Sequence, residues 1–264
     1  MGYSKEDLLS QLKEMGLKPT DTVFVHSSMK AIGAVEGGAD TVVDAFMEYL
    51  GKEGLFLTPA HTWKQMGEDY PVFDPLKEPA CVGIIPNIFL KRPGVVRSLH
   101  PTHSVAAFGP NAAAYVAGEE LAATPCMPGG CMDRLRTNQG RILLAGVTHA
   151  RNTFIHSIEE VFDVPERFTK EPVDFFIRMP DGSLKKTPVY RHYNSKMAHI
   201  SEAFDKMTDW YFKMGAAQKA KLGDAECILC DAEKLFEVTA RVLKREPNAF
   251  IDREEIPEAY LEEI

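Results

Sequence analysis

The chain has no long apolar run: no stretch of its 264 residues approaches the ~20 apolar positions that cross a bilayer as a helix. No membrane partner is expected. It also lacks an excess of positive charge. Lys and Arg number 30 against 38 Asp and Glu, giving a formal charge of −8, whereas phosphate backbones recruit the opposite balance. Nucleic acid is excluded as the main partner, and a cationic small molecule suits the charge better. Cysteine is sparse and odd in number, at five, which argues against a disulfide framework. Cys227 and Cys230 form a CxxC with no matching second pair, so packing cysteines are expected there rather than zinc ligands. Repeats and low-complexity segments are absent, and the opening residues lack the apolar core of a signal peptide. The expectation is a cytoplasmic protein. With 45% hydrophobic and 26% charged residues, it is expected to fold as one domain over 1–264, with an elaboration near 165–200.

Periodicity supplies the elements. Ser4 and Asp7 signal a first helix with Leu8, Leu12 and Met15 on one face and Gly16 at its end. Residues 22–26 and 54–59 are strand-like, and 39–50 is an amphipathic helix between them. The segment 61–79 is rich in proline and aromatics without a period, which predicts a long surface loop of the kind that carries function. A helix around Ile85 and Phe89, strands at 104–108 and 141–147, and a helix at 152–162 with Asn152 as N-cap follow. Residues 173–179 and 184–190 form a hairpin around Pro180-Asp181-Gly182-Ser183, with helices at 199–214 and 231–244 beyond it. The acidic end, 254–264, is expected to pack loosely. The fold class is α/β: a layered α/β/α domain with a mixed central sheet plus a hairpin.

Three clusters carry chemistry. The run from Val23 to Gly38 joins a strand to a helix through Ser27, Ser28 and three glycines, and such a loop can offer N–H groups and hydroxyls to a phosphate. It matches neither GxGxxG nor GxxxxGK[ST], and the same residues can simply turn the chain. His156 and Glu159 sit three apart on one helix, where a carboxylate raises imidazole basicity for general-base work; a surface ion pair has the same spacing. Arg97 and Ser98 precede a proline turn and suit phosphate. His100 and His103 around that turn are either metal ligands, with a third histidine, or structural.

In order, VHSSMKAIGAVEGGADTVVDAF, LTPAHTW, FDP, RSLHPTHSVAAFGPNAAAY, GRILLAGV and NTFIHSIEE resemble the aminoglycoside 3-N-acetyltransferase (antibiotic N-acetyltransferase) family, which is distinct from the GNAT acetyltransferases. The likeness runs in register over about 21–160 and more faintly over 223–247. It implies that family's α/β fold, acetyl-CoA as donor, and no metal. By the same resemblance His26, Ser27, Ser28, Met29, Lys30, Ile32, Gly33 and Val35 line the pantetheine and pyrophosphate. Arg97, Ser98, Ser104, Val105, Ala106 and Phe108 complete the coenzyme site. His156 matches the histidine that activates the acceptor amine and Glu159 its acidic partner, while Asp74, His61 and Trp63 fall on the acceptor side.

The implied reaction is acetyl transfer to the 3-amino group of a 2-deoxystreptamine aminoglycoside, an antibiotic-resistance activity, within a ternary complex. Alternatives are another amine, such as an aminophosphonate, or a metal-dependent amidohydrolase built on His100 and His103. A covalent acetyl-cysteine route is less attractive, since no cysteine sits beside a motif histidine in the sequence. Association into a homodimer is left open. The chain departs from the family at Cys131-Met132, where relatives carry Ser-Pro, and lacks an evident acceptor-site aspartate, for which the uncharged Asn194 is the nearest candidate.

Overall fold

The computed structural model describes residues 2–262. The N-terminal signal acts as expected: Ser4 Oγ accepts from the Asp7 N–H, and Asp7 accepts from the Ser4 N–H, opening α1 (Lys5–Glu14). Next come β1 (Thr22–Ser27), the single turn α2 (Met29–Ile32), α3 (Ala39–Leu50), β2 (Leu55–Pro59), β3 (Val72–Phe73) and α4 (Ile84–Phe89). They are followed by β4 (Val96–Arg97), β5 (Val105–Phe108), α5 (Ala112–Val116), α6 (Cys131–Thr137), β6 (Arg141–Ala145) and α7 (Phe154–Val161). The hairpin β7 (Val173–Arg178) and β8 (Leu184–Val189), then α8 (Thr208–Lys213), β9 (Ala217–Leu222), β10 (Ala225–Asp231) and α9 (Ala232–Arg245) complete the order.

The main sheet runs β4-β5-β2-β1-β6-β10-β9. β1 pairs in parallel with β2 and β6, whereas β5 and β10 join antiparallel on either side. Alternation along the strands divides the core between two faces. Val23 and Val25 pack with α1, α3 and α4, while Phe24 packs with Ile142, Leu144 and helices α5, α6, α7 and α9. Helices on both faces explain why β2 is buried at all five positions and shows no polar alternation. The expected α/β/α layering with a mixed sheet is what the chain forms. The β7–β8 hairpin is joined by β3 into a second, three-stranded sheet around Phe73, Phe175, Ile177 and Val189.

Several local expectations change. Asn152 does not cap α7; Thr153 precedes that helix without a side-chain cap, and Asn152 Nδ2 lies 3.2 Å from His149 Nδ1. The expected helix over 199–214 is wound as 3₁₀ over Ile200–Met207 before becoming α8. The acidic end is not loose up to residue 262: Ile256 and Leu261 bury in the same core as Phe250, and 263–264 lie outside the described residues. Among the described residues, no helix is long and apolar enough to cross a membrane.

Candidate active site

The carboxyl ends of the three parallel strands converge on histidines. His26 lies at the end of β1, His61 follows β2, and His149 lies in the 3₁₀ turn after β6. In each ring the Nε2 is buried without a hydrogen-bond partner among the described residues. Open α/β sheets bind ligands at this edge, where neighbouring strands lead away in opposite directions, and unpaired buried nitrogens mark it here. Burial pushes His26 down to about 3, with His149 adding to the effect, and burial alone takes His149 to about 3. Both rings are neutral at pH 7.

The first loop is fixed by backbone contacts. Ser28 N–H donates to Ala145 O on β6, and Ser28 Oγ accepts from the Ala31 N–H to cap α2. Gly146, at φ +70°, comes so close to α2 that a Cβ would stand 2.3 Å from Ala31 Cβ. Ser27 and Met29 are half-buried and Lys30 is exposed, and none of their side chains makes a hydrogen bond or ion pair among the described residues. Ser27 and Lys30 thus offer polar groups without a partner among the described residues, while Met29 packs against the core. Ile32 is buried in the core, and Gly33 faces Asp224 so closely that any side chain would collide with its carboxylate. Val35 bridges to Tyr3. Ile32, Gly33 and Val35 therefore shape the loop from behind.

His156 and Glu159 do meet. His156 Nδ1 is 2.9 Å from Glu159 Oε2, and the other carboxylate oxygen accepts from Arg167 Nε at 2.6 Å. Glu159 is 1% exposed. Burial pushes its carboxyl up, but the His156 hydrogen bond and the Arg167 charge outweigh that and hold it below the usual range. An ionised Glu159 fixes the Nδ1–H tautomer and leaves Nε2, which has no partner among the described residues, as the basic atom. Burial, then the neighbouring His192, lowers His156, although Glu159 opposes both. The base is thus neutral and ready at pH 7.

The sequence reading missed two members of this site, Arg167 and His192. His192 lies tilted against His156 with ring centroids 4.1 Å apart and planes 31° apart, and its Nε2 is 3.2 Å from Glu160 Oε1. Glu160 also accepts from Thr124 Oγ1 at 2.5 Å and from the Cys126 N–H at 2.8 Å. Further along, His103 lies 5.2 Å from His192 and 4.8 Å from His61, forming a row of four imidazoles.

Other expected site residues are placed differently. Arg97 gives its guanidinium to Ser104 Oγ and to the carbonyls of Pro75, Glu78 and Ala60, so it ties the 61–79 segment to β4 instead of offering a fork to phosphate. Ser98 and Ser104 are buried: Ser98 Oγ accepts from the Val105 N–H, and Ser104 Oγ donates to Ala60 O. Val105 and Ala106 are fully buried in the sheet, and Phe108 packs half-buried against α3. This strand group supports the site from behind. Asp74 is already paired, with Arg178 Nε at 3.3 Å and Lys77 Nζ at 3.5 Å, both on exposed side chains. His61 is enclosed in the imidazole row, and half-buried Trp63 accepts at its carbonyl from Arg191. Asn194 spends its amide on Glu166 O and on the N–H groups of Lys196 and Met197, a turn-forming role.

His100 is not half of a metal pair. Its Nε2 contacts Thr124 O, and its Nδ1 accepts the N–H groups of Thr102 and His103. Cys126, by contrast, does sit beside a histidine: its Sγ, a Glu160 oxygen and a His192 nitrogen lie within 4.8 Å of one another. Burial pushes that thiol well up, so it stays protonated and is a weak nucleophile.

A family model described as aminoglycoside 3-N-acetyltransferase matches residues 24–244. An aminoglycoside N(3)-acetyltransferase IX from Micromonospora chalcea is 32% identical over 256 residues, covering 85% of this chain and 88% of its own. Among solved structures, a mutant of aminoglycoside acetyltransferase AAC(3)-IVa in complex with gentamicin has a TM-score of 0.81 at 26% identity, covering 99% of this chain and 95% of that one. The fold is also that of AAC-IIIb in a binary complex with CoASH, with a TM-score of 0.80 at 24% identity over 92% of this chain and 97% of the other. The chain belongs to the aminoglycoside 3-N-acetyltransferase family of acyltransferases.

Proposed function

We propose that this enzyme transfers acetyl from acetyl-CoA to the 3-amino group of a 2-deoxystreptamine aminoglycoside, with His156 as general base. The observation that carries the reading is the buried relay His156–Glu159–Arg167, which leaves the Nε2 of His156 without a partner among the described residues. The coenzyme runs along Ser27, Met29 and Lys30, with the Lys30 ammonium meeting phosphate. An ammonium substrate first loses one proton. The amine then attacks the thioester carbonyl, His156 Nε2 takes the second proton, the C–S bond breaks, and that proton passes to the departing thiolate. The balance is one amide, one CoA thiol and one proton released. Glu159 stabilises the transient imidazolium, and Arg167 keeps Glu159 ionised. The residues 1–264 act as one catalytic unit, with 165–200 supplying Arg167 and His192.

One observation favours a second acceptor class. Asp74 is paired with Arg178 and Lys77, and Asn194 carries no charge, so an amine bearing its own anionic group, such as an aminophosphonate, meets less repulsion here than a polycation-specific site would impose. The test is thiol release from acetyl-CoA across aminoglycosides and aminophosphonates, with His156→Ala alongside. The variant should lose about 10²–10⁴ in kcat with unchanged CoA affinity. Wild-type turnover in His156→Ala would overturn the assignment of the base.

A further inference from the structure

The site contains two histidine–glutamate pairs, and the reaction described so far uses one. His156 with Glu159 is backed by Arg167; His192 with Glu160 is backed by the Thr124 hydroxyl and the Cys126 N–H. The two rings lie against each other at 4.1 Å. Their anchors come from consecutive residues of α7, which projects Glu159 and Glu160 in different directions. Phe168 lies 5.9 Å from His192 with planes 22° apart, and the backbones of these two residues form a bridge. His192 is therefore gripped by a carboxylate at its edge and held by aromatic neighbours, while Phe204 meets His156 edge-on at 4.9 Å.

We propose that His192, anchored on Glu160, is a positioning residue for His156: it fixes the plane of the basic ring and, when it carries a proton, keeps the second proton off that ring. This rests on His156 being the general base. The charged and titratable groups facing His156 are Glu159, with Arg167 behind it, and His192, with Glu160 behind it; His103 and His61 continue the row. Two imidazolium rings at this separation repel strongly, even with Glu160 nearby. A cation on His192 therefore makes His156 harder to protonate and extends the pH range in which Nε2 accepts.

Two variants separate the parts of the role. His192→Phe keeps a stacked ring but removes the charge and the Glu160 bond. His192→Gln keeps a polar group toward Glu160 but removes the ring and the charge. In both, the acid limb of the kcat/KM profile should move to higher pH, because the neighbouring imidazole that lowers His156 is gone. At the plateau, His192→Phe should keep activity within a fewfold of wild type, while His192→Gln, with no ring to hold the plane, should fall ~10-fold or more. CoA affinity, read by calorimetry, should be unchanged in both. An acid limb that stays in place or moves to lower pH in the folded variants overturns the proposal. So does a plateau equally low in both. If His156→Ala turns over like wild type, the base assignment itself fails; if His156→Ala is inactive and only the His192 profiles disagree, the fault lies with this proposal alone.

Discussion

Arg167 Nε lies 2.6 Å from Glu159 Oε1, on the carboxylate oxygen that His156 leaves free. The arginine comes from the irregular stretch after α7, and both partners are almost wholly buried, with side chains 2% and 1% exposed. Arg167→Met leaves a buried carboxylate facing one neutral imidazole. Breaking a buried pair from one side costs about 3–5 kcal/mol, which urea unfolding should register, together with a fall in kcat. An unchanged denaturation midpoint would mean that Glu159 does not depend on this partner.

Glu159→Gln tests the relay from its middle. Glu159 raises the proton affinity of His156, so removing its charge should move the acid limb of kcat/KM to lower pH. The plateau should fall ~10–100-fold, because the imidazolium loses its counter-charge. A limb moving to higher pH would contradict the orientation of this pair.

The buried histidines make the fold sensitive to acid. His26 and His149 are held near 3 and His100 near 4, against an unfolded value of ~6.5. Between those values the unfolded chain binds more protons than the folded one. Stability from these rings is thus complete above about pH 6.5 and is lost as pH falls below it, at about 1.4 kcal/mol per pH unit for each ring. Melting temperature followed from pH 7.5 to 5 should drop steeply. A flat profile would show that these rings are solvated.

Gly146 has a positive φ and faces Ala31. Gly146→Ala should cost about 1–3 kcal/mol in stability through backbone strain. Because the added methyl displaces α2, CoA affinity should weaken as well, which isothermal calorimetry reads directly. Unchanged affinity would detach the first loop from coenzyme binding.

Arg178 occupies the Asp74 carboxylate. Arg178→Ala should free part of that negative charge and lower KM for a polycationic aminoglycoside several-fold, while raising it for an anionic amine. Equal effects on the two classes would place Asp74 away from the acceptor.

The parallel strands, the Ser4 cap and the His156–Glu159 spacing were legible because each rests on local periodicity: apolar runs for buried strands, i,i+3 for one helix face. Arg167 and His192 were not. They sit outside any periodic element, and they reach the site only because 165–200 folds back over α7, a long-range event that leaves no local pattern. The same limit hid the burial of Ser98, Ser104, Val105 and Ala106. Their order matches a binding motif, but a sequence does not reveal which side of a doubly covered sheet a short strand turns toward solvent. The partners of Asp74 were not legible for a related reason, since its cations come from the next turn and from β7. β3 and β4 left no alternation to read because each strand has only two residues.

Arg167 and His192 flank the β7–β8 hairpin, one just before it and one just after; the first backs His156 through Glu159, and the second is the ring that lies against His156. The small sheet is thereby a clasp on the chemistry, while the large sheet carries most of the core. Warming that opens the clasp first would silence turnover while the main body keeps its ellipticity, so heat inactivation is expected to run ahead of global melting.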